Sequence, residues 1–370
     1  MTHHLVLFSA VAVATAILLP TDEADTNRTF GSVMKSEAGS LVVDHRTMVD
    51  DRTPRAVELR DHHLVFSNRF SLTFQRTLRI PDDGREYPLP PGLGSFPLYP
   101  VRDFRERVPA HWDIEHGYIL PMHQREAMWI DFDGAYWKPN AVKVGVGLVN
   151  AVSGTEWNLA LGASPQDYLV VPDQPWLDGI KSGEGTIRQF VAVPLGTGYT
   201  VEAQVTGKES DGALRIAVFE PKPGRFPDQP PEPERDALYS KAPALAQSLE
   251  AGGMGIGAGG TMRQKVYEDA YGVATWSVDQ TQEVVIYIVN SAQFESLTGI
   301  TPPPTPIDAA TYTAYGFPWF DLYDEHKKDL HASEELKKVK STGQLDKEKD
   351  LKIQDDSSVI VPDSQVIKLK

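Results

Sequence analysis

The sequence predicts a mainly β fold, with a β-sandwich-like core, long Pro-rich connections, a few short helices and an extended C-terminal tail. Apolar and polar residues alternate in short runs between residues 57 and 289, which is typical of strands with one buried face. Turn-forming residues separate these runs, because 28 Pro and 29 Gly occur among 370 residues. Many short strands at close spacing favour a sandwich or an open barrel.

The predicted strands begin with a β-rich segment at residues 57–80, which closes at a Pro-Asp-Asp-Gly turn. Eight further strands are predicted at residues 127–132, 141–148, 168–171, 186–193, 199–206, 214–220, 262–266 and 284–289. Residues 199–206 alternate cleanly between apolar and polar types. We therefore expect them to form a hairpin with the next strand along the chain.

Four short helices are predicted, at residues 236–250, 292–297, 307–315 and 333–340. The second has clear boundary signals, because Asn290 and Ser291 can cap its start and Gly299 can close its end. The glycine-rich run 255–260 matches the pattern G-x-G-x-x-G, but a predicted helix precedes it and a predicted strand comes after it. A dinucleotide site needs the opposite order, so we expect a linker or a close-packed loop there.

Four segments describe the domain organisation: an apolar segment at residues 1–20, a polar lead-in at 21–56, a β-rich domain at 57–323 and a Lys-rich tail at 324–370. One domain is favoured over two, although six prolines in residues 221–236 mark a place where the domain could divide. The tail has 10 Lys, no Arg and 11 acidic residues. We expect it to contribute little to the core, apart from Val359-Ile360-Val361 docking as an added edge strand.

The apolar run at residues 5–19 leaves three interpretations open: a signal peptide, a membrane anchor or a buried strand. It is shorter than the roughly 20 residues that a membrane-spanning helix needs. No Lys or Arg precedes it, which is unusual for a signal peptide. A secreted or envelope-associated location is slightly favoured, with a cytoplasmic one as the alternative, and any membrane association is expected through this segment only.

Composition excludes several classes of protein. The formal net charge is −15, with no basic stripe along the chain, so nucleic-acid binding is not expected. The chain has no cysteine, which excludes disulfides, thiolate zinc sites and a cysteine nucleophile. No cofactor is predicted.

The candidate metal ligands are His111, His116, His123 and Glu126, since imidazole and carboxylate groups bind zinc or iron. His123 and Glu126 would share a face only on a helix, whereas the residues after them alternate like a strand. The alternative is that these are loop histidines with ordinary surface contacts.

The candidate ligand-binding residues are aromatic: Tyr312, Tyr315, Trp319 and Tyr323. With Phe317 and Phe320 they place six aromatic residues within twelve positions. Such a cluster can stack on a sugar or on a partner surface. The alternative is that the segment crosses the core and buries its rings.

Three segments resemble a family of uncharacterised microbial proteins, some of them labelled integral membrane proteins. The segments are FQRTLRIPDDGREYPLPPGLG at residues 74–94, RQFVAVPLGTGYTVE at 188–202 and GFPWFDLYD at 316–324. The resemblance implies no established activity and no catalytic residue.

The function that these observations favour is a non-enzymatic binding or structural β protein, whose partner is an unknown protein or a small molecule. Its alternative is a hydrolase with a carboxylate and histidine site. The chain contains none of the patterns G-x-S-x-G, H-E-x-x-H or Walker A. However, catalytic groups also assemble from distant positions, so a missing motif does not decide between the two.

Overall fold

The computed structural model describes residues 57–231, 253–305, 307–322, 327–351 and 358–369. The chain is mainly β, with 38% strand and 15% helix, so the predicted fold class is confirmed. Among the described residues the strands are, in chain order, β1 (Glu58–Arg60), β2 (His63–Val65), β3 (Phe70–Thr77), β4 (Glu86–Tyr87), β5 (Gly92–Ser95), β6 (Tyr99–Pro100), β7 (Gly117–Met122), β8 (Ala127–Gly134), β9 (Asn140–Val146), β10 (Val149–Asn150), β11 (Leu169–Val171), β12 (Trp176–Leu177), β13 (Gly179–Gly183), β14 (Thr186–Pro194), β15 (Leu214–Phe219), β16 (Met254–Arg263), β17 (Gln282–Asn290), β18 (Trp319–Leu322) and β19 (Val366–Leu369).

Five short α-helices accompany these strands in the described part of the chain. They are α1 (Val201–Thr206), α2 (Ser291–Thr298), α3 (Ala309–Ala314), α4 (Glu334–Lys338) and α5 (Thr342–Glu348). Single 3-10 turns occur at Val101–Phe104, Val273–Thr275 and Asp363–Gln365.

Two large sheets organise the fold. The first has ten strands with the main order β1-β2-β3-β8-β14-β16-β4, and the second has seven with the main order β10-β9-β15-β17-β7-β6. Phe74 and Ile130 of the first sheet belong to the same buried cluster as Val144 and Ile216 of the second. The core therefore lies between the sheets, as in a sandwich, and each such side chain contributes about 1.5–3 kcal/mol by leaving water.

One pair of strands in the second sheet is parallel. Most neighbouring strands are antiparallel, but β7 and β17 run in the same direction, with Gly117 opposite Val285 and Met122 opposite Asn290. Their carboxyl ends therefore meet at one edge of the sheet. The chain leaves β17 directly into α2 at Ser291, and the first residue after β7 is His123.

The predicted strand at residues 199–206 is wrong, because residues 201–206 form helix α1. Thr200 caps the helix by accepting a hydrogen bond from the Ala203 amide, and Gly207 ends it in the left-handed conformation with φ 73°. The buried Glu202 carboxylate accepts hydrogen bonds from the Leu148 amide and the Ser210 hydroxyl. Local capping and this tertiary contact override the alternating pattern, and no hairpin forms with β15.

The glycine-rich run 255–260 is not a linker or loop but the middle of β16. Its glycines allow close approach by neighbouring chain segments. At Gly260 a Cβ atom would lie 2.4 Å from the carbonyl oxygen of Pro81. The strand therefore depends on residues without side chains, which strand propensity alone does not favour.

The second predicted helix is confirmed, with the predicted caps. Asn290 accepts a hydrogen bond from the Ala292 amide, and Gly299 closes α2 with φ 72°. Helices α3 and α4 lie within the predicted ranges 307–315 and 333–340. The segments 1–20 and 21–56, the predicted helix 236–250 and Tyr323 lie outside the described residues.

The C-terminal segment is not the loosely attached tail that its composition predicts. Leu336, Val339 and Val359 are buried and belong to the main core cluster. Helix α5 begins at a capping box formed by Ser341 and Gln344. The added edge strand does form, but at β19, which pairs in parallel with β18, and not at residues 359–361. A few apolar side chains, placed where the core is open, suffice to dock a segment of mostly charged residues.

A buried ion pair also fixes α5. The Asp346 carboxylate accepts hydrogen bonds from Nη2 of Arg125 at 2.7 Å and from the hydroxyl of Tyr199 at 2.8 Å. The ring of Tyr199 in turn lies 4.1 Å from the ammonium group of Lys349. Removing Asp346 would leave the guanidinium of Arg125 without this carboxylate in a mostly buried environment, which is costly.

Truncation of the chain after Lys340 tests this docking. The lost ion pair and packing are worth about 3–5 kcal/mol, so the thermal midpoint should fall by about 5–10 °C. Calorimetry on the full and truncated chains measures the shift. As a control, Ile360→Ser changes a side chain that is 79% exposed and should leave the midpoint within about 1 °C. An unchanged midpoint after truncation would show that α5 and β19 add nothing to the fold.

A second buried carboxyl group makes stability depend on pH. Asp178 is buried, and its Oδ2 accepts a hydrogen bond from Nε2 of Gln264 at 2.7 Å. Burial raises the pKa of Asp178 from 3.8 to about 7, against hydrogen bonds from Trp176 and Gln264 that lower it. Between these two pH values the folded chain keeps a proton on Asp178 that the unfolded chain releases. This group therefore makes folding less stable as the pH rises from about 4 to about 7.

Asp178→Asn removes that titration. The free energy of unfolding of the native chain should fall relative to the variant by up to about 1.4 kcal/mol per pH unit across this window. Urea denaturation of both proteins at pH 4, 5, 6 and 7 measures the difference. A pH-independent offset between the two stability curves does not affect the test, because the prediction concerns their difference in slope. Parallel stability curves would show that Asp178 is ionised in the folded chain throughout.

Candidate functional site

The candidate site lies at the shared carboxyl ends of β7 and β17. Because Met122 is opposite Asn290 in the parallel register, the next residues, His123 and Ser291, emerge side by side. Loops and helix starts at the carboxyl ends of parallel strands are common positions for binding and catalytic groups. Here the start of α2 supplies one of the two residues.

Ser291 and His123 are in direct contact, and both are buried. The hydroxyl oxygen of Ser291 lies 2.8 Å from Nδ1 and 3.2 Å from Nε2 of His123. Nε2 also lies 2.8 Å from the carbonyl oxygen of Pro303. A carbonyl oxygen only accepts hydrogen bonds, so the proton of a neutral ring belongs on Nε2. The Ser291 oxygen is almost equally far from both ring nitrogens, so it lies over the face of the ring and outside the plane of the nitrogen lone pairs.

A tight turn after His123 brings in a carboxylate. The Glu126 amide donates to the His123 carbonyl at 3.1 Å, while Oε2 of Glu126 accepts from the His123 amide at 2.8 Å. Oε1 accepts from Nε of Arg76 at 2.8 Å and from its Nη2. Burial raises the pKa of Glu126, and the Arg76 charge and the His123 amide oppose that rise. The carboxylate therefore orients the backbone of His123 while Arg76 compensates its charge.

The segment 302–305, which we call the Pro strap, crosses this site between α2 and α3. Its carbonyl groups are the points of attachment. Pro303 accepts from His123, and Pro304 accepts from Nη2 of Arg76. The guanidinium of Arg76 also lies 5.3 Å from the centre of the Phe96 ring. One buried arginine thus joins β3, the turn before β8 and the Pro strap.

A cleft of about 640 Å³ opens beside these groups, within the size range of small-molecule sites. One wall carries the side chains of Arg79, His123, Gln124 and Arg125, and the other is formed by residues 305 and 307–311. Arg79 also donates to the Thr342 hydroxyl at 2.7 Å. The cleft wall therefore presents hydrogen-bond donors that are already held in place by α5.

The structure separates the predicted metal ligands. His111 and His116 are exposed and precede β7, whereas His123 comes directly after it. Six strand residues span about 20 Å, so the two groups lie at opposite ends of the strand. Among the described residues no group of three or more histidine and acidic side chains is arranged to hold a metal ion. Only His123 and Glu126 come together, and they meet through the His123 amide.

The predicted aromatic site is divided in the same way. Trp319 and Tyr312 are buried against each other, with ring centres 6.3 Å apart, and Nε1 of Trp319 donates to the Thr313 hydroxyl. These two rings cover the core. Tyr315 is 69% exposed and contacts Phe317, with ring centres 5.9 Å apart.

Two residues of the site have no functional interpretation from the sequence. The sequence indicates Ser291 only as a helix cap and Arg76 only as part of a strand. The signal that exists for Ser291 is its position, since an apolar strand ends directly before it and a helix begins there. Nothing in the sequence pairs Arg76 with Glu126, which is 50 positions away.

Comparison of the chain with protein-family models, curated proteins and solved structures finds no match. Within the described ranges, no helix has the length and apolar character needed to cross a bilayer. The chemistry of the site therefore has to be argued from its own geometry.

Glu126→Gln tests whether the Arg76 pair supports the site. The substitution leaves a buried guanidinium facing a neutral amide, which should lower the free energy of unfolding by about 3–5 kcal/mol. Urea denaturation measures the loss. Glu58→Gln is the matched control, because its pair with Arg60 is more than half exposed and should change stability by less than about 1 kcal/mol. Equal losses in the two variants would contradict a special role for the buried pair.

Proposed function

We propose that the protein binds a small molecule in the cleft beside His123. The observation that carries this proposal is the cleft itself, about 640 Å³ in volume, which meets a constellation of buried, hydrogen-bonded polar groups. Small-molecule sites combine these two properties. Of the functions that the sequence favours, ligand binding is therefore the one that the geometry supports best.

The side chains of the cleft favour a ligand with an acidic group. Arg79 and Arg125 line the same wall, and a guanidinium binds carboxylate or phosphate through parallel hydrogen bonds. The carboxylate of Asp308 lies on the other wall, where it caps α3 by accepting from the amide and hydroxyl of Thr311. Its acceptor capacity is thus directed into the helix. Arg125 is paired with Asp346 and Glu126 with Arg76, so the preference for an anion is proposed on Arg79, which donates to the neutral Thr342 hydroxyl.

The first experiment is native mass spectrometry of the full chain purified from its own host. We expect a bound small molecule that carries a carboxylate or phosphate group. Thermal shift measurements with citrate and inorganic phosphate then test the preference directly, because a ligand that binds only the folded chain raises its midpoint. Absence of a bound molecule together with no shift in either solution would refute the proposal.

Two variants on α3 test whether the ligand binds in the cleft. Ala310 is exposed and lines the cleft, whereas Ala314, on the same helix, is exposed and does not line it. Ala310→Trp should fill the cleft and weaken binding of the anion that raised the thermal midpoint, citrate or phosphate. In calorimetric titration the affinity should fall by at least about 10-fold, the effect of losing roughly 1.4 kcal/mol of binding free energy. Ala314→Trp should leave binding unchanged. The same affinity in both variants would show that the anion binds elsewhere.

A further inference from the structure

We infer that helix α5 regulates the cleft as an internal competitor: its Asp346 carboxylate occupies Arg125, and an acidic ligand has to displace that carboxylate to bind this arginine. The inference rests on the proposed binding of an anion and adds a regulatory element to it. It is carried by the ion pair between Asp346 and Arg125, by the neutral contact of α5 with Arg79 and by the small apolar surface of the helix.

Asp346 takes the place of a ligand's acid group on one arginine of the cleft wall. Both of its carboxylate oxygens lie 2.7 Å from Nη2 of Arg125, and Arg125 lines the cleft. The pair is largely shielded from water, since 13% of the arginine side chain and 6% of the aspartate side chain are exposed. A guanidinium binds carboxylates well. The chain therefore supplies its own carboxylate to a residue of the proposed site.

Tyr199 holds the Asp346 carboxylate from a second direction. Its hydroxyl donates to Asp346 at 2.8 Å. Burial, together with this carboxylate, raises the pKa of Tyr199 to about 12. The phenol therefore keeps its proton at neutral pH and remains a donor. Two donors from different parts of the chain thus keep Asp346 beside Arg125.

Helix α5 contacts the other arginine of the wall through a neutral group. Arg79 donates to the hydroxyl of Thr342 at 2.7 Å, and Thr342 is buried. A hydroxyl orients the guanidinium without adding a negative charge to the wall. The helix therefore has two separable effects, because Thr342 positions one arginine while Asp346 occupies the other. A substitution at Asp346 changes only the second effect.

The docking of α5 depends on few apolar contacts. The helix has seven residues, and Leu345 is its only large apolar side chain. Its neighbouring contacts are polar: the Gly343 amide donates to Asp82 at 2.8 Å, and Lys349 donates to the Thr197 carbonyl at 2.8 Å. Segments with little buried apolar surface open locally at a lower free energy than the whole fold. Helix α5 can therefore leave the wall while the sheets stay folded.

The sign of the coupling follows from charge. An acidic ligand either replaces Asp346 on Arg125 or lies near it on the same wall, where the two anions repel each other. Replacement leaves the buried guanidinium paired, so the arginine itself does not oppose the exchange. In both cases the ligand weakens the docking of α5. Linkage requires the reverse effect to be equal, so loss of the Asp346 charge strengthens ligand binding by the same factor.

Asp346→Asn tests the competition, because it removes the charge at nearly the same shape and leaves Thr342 in place. In titration calorimetry of the full chain with citrate and with inorganic phosphate, affinity for the anion that binds should rise at least about 5-fold, the lower end of usual couplings. Asp350→Asn is the matched control, since it removes an exposed carboxylate from the same segment and should leave affinity unchanged. Sodium chloride keeps the ionic strength equal in all titrations.

Hydrogen exchange of the native chain tests the reciprocal effect without any substitution, so it decides the question even if Asp346→Asn does not fold. The amides of α5 should exchange faster with the anion bound than in sodium chloride of equal ionic strength, whereas those of β17 should not change. Exchange in α5 that is equal or slower would overturn the inference, as would equal or weaker binding by a folded Asp346→Asn chain.

The same titrations separate this inference from the proposed function. An anion that binds the native chain and Asp346→Asn with equal affinity would leave the proposed binding intact and remove the regulation by α5. Binding of neither anion to either chain would refute both.

Discussion

The buried guanidinium of Arg76 is the group on which the site depends. It lies in β3 and binds the Glu126 carboxylate in the turn before β8 and the Pro304 carbonyl of the Pro strap. A buried charge is tolerated only when its partners are complete. The requirement to satisfy Arg76 therefore holds the turn after β7, and with it His123, in one arrangement. Without this arginine, the carboxylate and the strap carbonyl would each lose a donor.

Polar contacts of buried arginines also join the cleft to helix α5 in the C-terminal segment. Arg125 and Arg79, which line the cleft, are held by Asp346 and Thr342 of this helix. The helix has little apolar surface to bury, so its docking depends on directed polar contacts. As a consequence, hydrogen bonds join the residues that line the cleft to those that dock the end of the chain. A substitution in either group should therefore change the stability of the other.

Local sequence patterns are reliable where one physical effect dominates. The strands of the core and helix α2 are predicted by alternation and by capping residues such as Asn290 and Gly299. The patterns fail where a distant contact decides the conformation. Residues 201–206 alternate like a strand, yet Glu202 is buried against Leu148 and Ser210 in a helix. The C-terminal segment has the composition of a solvated tail, yet Leu336 and Val359 complete the core.

By itself, the sequence determined the fold class, the absence of thiol chemistry and the candidacy of His123 and Glu126, because these depend on residue types and local periodicity. Only the tertiary structure decided which groups meet. The parallel pairing of β7 with β17 joins His123 to Ser291 across 168 positions, and strand register cannot be derived from either strand alone. Each strand buries its apolar face equally well beside many neighbours, so the choice of neighbour is made by the packing of the whole sheet.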